Sequence, residues 1–130
     1  MSNSNIETYR LGKGGATGVI RIGAVRYLPR GIRKEDYSRL GYFDIWLPQL
    51  SPSKELLKEY KTASDTATAW KRFAAAYKKE IRSNSDAKQL IKFIALISGN
   101  IPVALGCYCE STSMCHRFIL KGFIEEAEEK

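Results

Sequence analysis

The sequence contains no apolar run close to the roughly 20 residues needed to cross a bilayer. Its first residues, Met1-Ser2-Asn3-Ser4-Asn5, lack the apolar core of a signal peptide. A cytoplasmic location is therefore expected, with cysteines that start out reduced and no membrane partner. Cysteine is scarce, and three residues are an odd number, which argues against a disulfide framework of the secreted kind. No internal repeat or low-complexity tract is present. A Walker loop is missing as well. In Gly12-Lys13-Gly14-Gly15-Ala16-Thr17-Gly18 the lysine follows the first glycine and no Gly-Lys-Ser/Thr closes the stretch, so it reads as a turn or loop.

What is there fits an ordinary globular protein. The chain has 130 residues, 44% apolar and 27% charged, which is too apolar for wholesale disorder and the right length for one domain. A single domain over residues 1–130 is expected, with residues 1–18 partly flexible. The net charge of +7 favours an anionic partner, a nucleotide or nucleic acid. The positive residues cluster from Arg10 to Arg39, against only Glu35 and Asp36, while Glu125-Glu126-Ala127-Glu128-Glu129 is acidic. Such a polarised chain could present one basic face.

Residues 19–26 read as a strand rich in β-branched side chains, ended by Pro29 and Gly31. Residues 43–47 are a second short strand, stopped by Pro48. Ser51 or Ser53 can cap a short helix from Glu55 to Tyr60. The clearest helix covers residues 66–82, where Trp70, Phe73, Tyr77 and Ile81 recur at helical spacing and read as core. Another helix follows from Asp86 to Ile97, with Gly99 placed to end it. Residues 101–109 form a nearly continuous apolar run, the pattern of a strand buried on both faces. A last helix runs from about Ser113 to Glu129, with Ile119, Phe123 and Ala127 inward. Together these predict an α/β fold, a small, mainly parallel β-sheet flanked by helices in three layers.

Several segments also resemble a known family. Arg26-Tyr27-Leu28-Pro29-Arg30-Gly31, the block Asp44-Ile45-Trp46-Leu47 through Pro52-Ser53-Lys54-Glu55-Leu56, and Trp70, Phe73, Tyr77 and Glu80 resemble the YeaO-like branch of the family called domain of unknown function 488. Cys109-Glu110 and Cys115-His116-Arg117 are similar to the wider family, in which a strand ends in Cys-Glu or Cys-x-Glu and a helix opens with Cys-His-Arg. The resemblance covers residues 20–122 or so. It implies a compact α/β fold and says little about function.

Ligands of parallel α/β sheets gather at the carboxyl ends of the strands. The candidate catalytic residues there are Cys109, Glu110, Cys115 and His116. Cysteine near a helix N-terminus with His and Arg beside it gains thiolate character, and His116 or Glu110 can act as acid or base. Arg26, Arg30 and Arg117 are candidate anion ligands, since a guanidinium holds phosphate or carboxylate through paired hydrogen bonds. Asp44 and Tyr108 are supporting residues. Tyr108 and Trp46 offer a stacking face, although Trp46 also suits packing.

Other readings stay open. A phosphatase Cys-x5-Arg loop is not matched, because the sixth residue after Cys109 is Cys115. Cys107, Cys109, Cys115 and His116 give four zinc donors, but not at a finger spacing, so no cofactor is expected and zinc is the alternative. Cys107 fits the core, Cys109 and Cys115 could pair, and Arg26 or Arg30 could simply pair with Asp44. The expected function is binding or processing a nucleotide or nucleic acid. The alternatives are a thiol-redox or metal protein, or a non-catalytic interaction module.

Overall fold

The computed structural model describes residues 5–12, 18–61, 66–108 and 115–128. In chain order these form β1 (Ile6–Arg10), β2 (Ile20–Gly23), a 3-10 turn (Lys34–Asp36), β3 (Ile45–Trp46) and a second 3-10 turn (Pro48–Leu50). Then come α1 (Lys54–Lys61), α2 (Thr66–Arg82), α3 (Ser85–Ser98), β4 (Val103–Cys107) and α4 (His116–Glu128). The four strands make one parallel sheet in the order β1-β4-β2-β3. Among the described residues no helix is long and apolar enough to cross a membrane.

The expected buried strand is β4. All five of its residues are buried, as its position between β1 and β2 requires. β1 lies within the stretch expected to be partly flexible. Glu7-Thr8-Tyr9-Arg10 shows no apolar alternation, yet it pairs with β4 from Ile6 opposite Val103 to Arg10 opposite Cys107.

Alternation along the strands gives the sheet two unlike faces. On one, Ile6, Val103 and Ile20 stand level, followed by Thr8, Leu105 and Ile22. All four helices pack here, through Leu56 of α1, Phe73 and Tyr77 of α2, Ile94 of α3, and Leu120 and Ile124 of α4. Each such large apolar side chain contributes about 1.5–3 kcal/mol of burial. Tyr77 is fully buried, and its hydroxyl donates to the Leu50 carbonyl (2.6 Å), so the phenol is satisfied.

On the other face Tyr9, Gly106 and Gly23 stand level. The aromatic side chains of Tyr37, Tyr42 and Phe43 cover this face together with Leu11 and Val25. A Cβ on Gly106 would lie 2.6 Å from both Leu11 and Tyr9, and one on Gly23 would overlap the Phe43 ring. Glycine is needed because rings rest directly on the strand backbone. The third layer is thus the connection 24–44 with one 3-10 turn, where helices were expected. Handedness explains the split. The β2-to-β3 and β3-to-β4 connections run in opposite directions across a parallel sheet, so connections of one hand fall on opposite faces.

Helix ends refine the expectations. Ser53, not Ser51, caps α1, its hydroxyl accepting from Leu56 N–H (3.2 Å). Asn84 caps α3 by accepting from Ala87 N–H (3.1 Å). Gly99 does close α3, but with φ −65°, so the left-handed ending is not used. In α4 the fully buried positions are Leu120 and Ile124, with Ile119, Phe123 and Ala127 packed beside them.

Candidate functional site

Cys107 is the last residue of β4, at the carboxyl edge of the sheet. The chain returns to that edge at Cys115, and α4 begins one residue later. Cys115 therefore precedes the helix, and its side chain is not held to helical spacing with His116. The structure joins Cys107 and Cys115 as a disulfide, with Cα atoms 7.9 Å apart. The pairing of Cys109 with Cys115, open from the sequence, is replaced by this one. Cys107 is buried, as its core reading required, but it also belongs to the site.

His116 and Arg117 are buried in the first turn of α4. His116 Nε2 lies 2.6 Å from the Ala24 carbonyl oxygen. A carbonyl can only accept, so Nε2 carries the proton and Nδ1 presents its lone pair. Nδ1 is 3.9 Å from Cys115 Sγ. Burial pushes the imidazole pKa down to about 4, helped by the Arg117 charge and opposed by the bond to Ala24, so the ring is neutral near pH 7. The edge of His116 also meets the Tyr77 ring at 5.5 Å, which ties it to the helical core. Arg117 Nη1 donates to Cys107 Sγ (3.2 Å), with Cys115 Sγ at 3.9 Å, and its guanidinium lies 4.9 Å over the Phe118 ring.

The other candidates are not all brought here. Cys109 and Glu110 lie outside the described residues. Arg26 donates to the Pro52 carbonyl through Nε (3.3 Å) and Nη2 (3.2 Å), and to Ser51 through Nη2 (3.4 Å), so it braces the entry to α1. Arg30 is exposed. Asp44 pairs with neither. It accepts from the Arg21 backbone N–H (2.9 Å) and from Arg21 Nη2 (3.2 Å), while the Ser38 hydroxyl donates to it (2.5 Å). Burial raises the Asp44 pKa, but those bonds and the Arg21 charge outweigh it, and the net shift is downward. Tyr108 donates its hydroxyl to the Tyr27 carbonyl (2.9 Å), and burial pushes its pKa up to about 12. Trp46 is packed, its indole N–H donating to Val25 O (2.7 Å).

Within the basic segment Arg21 pairs with Asp44, Arg33 meets Glu35 and Asp36, and Arg39 meets Asp36 (3.1 Å).

The disulfide forms part of the wall of an apolar cavity of about 700 Å³. Cys107, Cys115 and His116 line it together with Tyr60, Trp70 and Phe73. Arg26, Lys54 and Lys58 add positive charge to its lining. The volume is that of a small-molecule site. A more polar groove of about 730 Å³ lies across Arg26, lined by Ser53, Glu80 and Asn84 among others. It holds no thiol, and its Glu80 is engaged by the Ser53 hydroxyl and N–H, so the apolar cavity is the better candidate. Trp70 and Phe73 were legible only as part of a core stripe, and Tyr60 only as the end of the short helix; that α1 and α2 leave these rings lining a cavity is a matter of packing that their spacing does not carry.

A family model described as "Active DUF488-N3 subclade" matches residues 6–128. No curated protein and no solved structure matches the chain.

Proposed function

The chain belongs to the active DUF488-N3 subclade of the DUF488 family, and from that premise we propose that it takes an aromatic, anionic ligand of the nucleotide class into the apolar cavity. The Cys107–Cys115–His116–Arg117 cluster is the reacting end of that site. One observation carries the reading: the same cavity is lined by both sulfurs, by the Trp70 and Tyr60 rings, and by Lys54 and Lys58. Aromatic walls stack a base, and lysines meet a phosphate. A ligand of mononucleotide size suits a half-open cavity of about 700 Å³ better than a polymer, and the internal pairing of Arg21, Arg33 and Arg39 weakens the case for a broad nucleic-acid face.

The test uses Trp70 as the reporter in a Trp46→Phe protein, titrated with adenosine monophosphate, adenosine and inorganic phosphate. The nucleotide is expected to quench Trp70 saturably and to slow alkylation of the reduced cysteines. Replacing Lys54 and Lys58 together by Glu should weaken binding by about tenfold or more, equivalent to roughly 1.4 kcal/mol. No nucleotide-dependent change in either signal at millimolar ligand would overturn the proposal. A second reading, a thiol–disulfide pair that works on protein or small-molecule thiols without a bound nucleotide, is favoured by the Cys107–Cys115 bond itself.

A further inference from the structure

We propose that, once reduced, Cys107 Sγ, Cys115 Sγ and His116 Nδ1 form a three-donor zinc site whose fourth position opens into the cavity. This rests on the cluster being the reacting end of the ligand site, and it names the cofactor that end would hold.

The donors are already together. The two sulfurs and the imidazole nitrogen lie within 4.8 Å of one another, and all three residues are buried. On a tetrahedral zinc, with Zn–S about 2.3 Å and Zn–N about 2.0–2.1 Å, a sulfur and a nitrogen stand roughly 3.6 Å apart. Cys115 Sγ and His116 Nδ1 are 3.9 Å apart. Adjacent residues could not do this from within a helix, but Cys115 lies just before α4. The Cα separation of Cys107 and Cys115, 7.9 Å, exceeds the roughly 4.4–6.8 Å usual for a disulfide. That span suits two sulfurs parted by an ion.

The surrounding groups fit the same reading. A ligating histidine commonly donates its other ring N–H to a carbonyl or carboxylate, which fixes the tautomer and aims the lone pair. Here the Ala24 carbonyl takes that role at 2.6 Å. Charge settles what the fourth ligand should be. Two thiolates and a neutral imidazole balance Zn²⁺, and Arg117, 3.2 Å from Cys107 Sγ, adds one positive charge beside them. The remaining position therefore favours an anion: hydroxide, or the anionic group of a ligand seated in the cavity. Among the described residues the site has three protein donors, and three donors plus one exchangeable position is the pattern of a catalytic rather than a structural zinc site.

Oxidation and metal occupancy exclude each other. An external low-molecular-weight disulfide is attacked by one cysteine thiolate, giving a mixed disulfide and one departing thiolate. The second cysteine thiolate then attacks the cysteine sulfur of that mixed disulfide, closing the Cys107–Cys115 bond and expelling the second thiolate. Two electrons pass to the external disulfide, and the zinc loses both sulfur donors and leaves.

The experiment loads full-length protein, reduced and oxidised in parallel, with zinc under anaerobic conditions, followed by gel filtration and metal analysis. Cobalt substitution reads the ligand type through the sulfur-to-metal charge-transfer band. Reduced protein should retain about one equivalent of zinc and show that band, and oxidised protein should retain none. Cys107→Ala, Cys115→Ala and His116→Ala should each weaken retention by at least about tenfold, against a chromogenic chelator, while Cys109→Ser should not. Reduced wild-type protein eluting free of zinc and cobalt would overturn the site, as would equal retention by wild type and Cys107→Ala. The outcome is separable from that of the ligand proposal. Trp70 quenching in metal-free reduced protein would keep the cavity ligand and remove only the metal. Metal bound without any nucleotide response would do the reverse.

Discussion

On the helical face of the sheet, Ile6, Val103 and Ile20 fill a row with aliphatic side chains. On the opposite face, the matching row of Tyr9, Gly106 and Gly23 is nearly bare, and rings are laid across it. The first face is covered by helices that bring their own apolar stripes, so volume and patterning decide its packing. The second is covered by an irregular connection, and its fit depends on how closely rings approach the backbone. One sheet thus carries a tolerant core and an exacting one. The cysteine cluster sits where they meet: Cys107 and Cys115 pack with Leu11, Val25 and Phe43 of the second face, and His116 meets Tyr77 of the first.

The largest expected effect tests the helical face. Leu120→Ala removes a fully buried side chain from α4 and should cost about 2–5 kcal/mol in denaturant unfolding, while Leu120→Met should cost less than about 1.5 kcal/mol. A loss for methionine as large as for alanine would mean this face is no more tolerant than the other. Next comes Gly106→Ala. Its added methyl meets Leu11 and Tyr9, so a single carbon should cost about 1–3 kcal/mol. If Gly106→Ala is neutral or stabilising, the account of the second face fails. The smallest effect concerns the rim of that face, at Asp44. Its folded pKa lies below its unfolded value, so it contributes stability above that unfolded value, near pH 4, and loses it as pH falls through the folded pKa. Asp44→Asn should lower stability at pH 7 by no more than about 1 kcal/mol and should flatten the acid limb of the stability–pH curve. An unchanged acid limb would show that Asp44 is not part of what holds residues 21–44 on the sheet.

The same contrast separates what could be read in the sequence from what could not. β4 and the aromatic stripe of α2 were legible because continuous burial and helical spacing are local signals. β1 was not, because an edge strand with residues such as Glu7 and Arg10 takes its structure from β4, almost a hundred positions away. The small parallel sheet flanked by helices was legible, and a layer is present on each face, but only topology decides which layer is helical. At the site, the residue types were visible and their partners were not. Cys107 was read as core from its apolar run, and that run says nothing about which sulfur will meet it. Arg26 was read as an anion ligand; its bonds to the Ser51 and Pro52 carbonyls were not legible, because these come within its reach only after the 3-10 turn Pro48–Leu50 redirects the chain.

The Ala24 peptide bonds in both directions: its N–H donates to Gly106 O (3.1 Å) in the sheet, and its carbonyl meets His116. The group that orients the histidine is therefore main chain, and no replacement of a side chain can delete it. A carboxylate in that place could be lost to one codon change. Here the tautomer is inherited with the path of the chain, and a lineage could discard it only by rebuilding the end of β2.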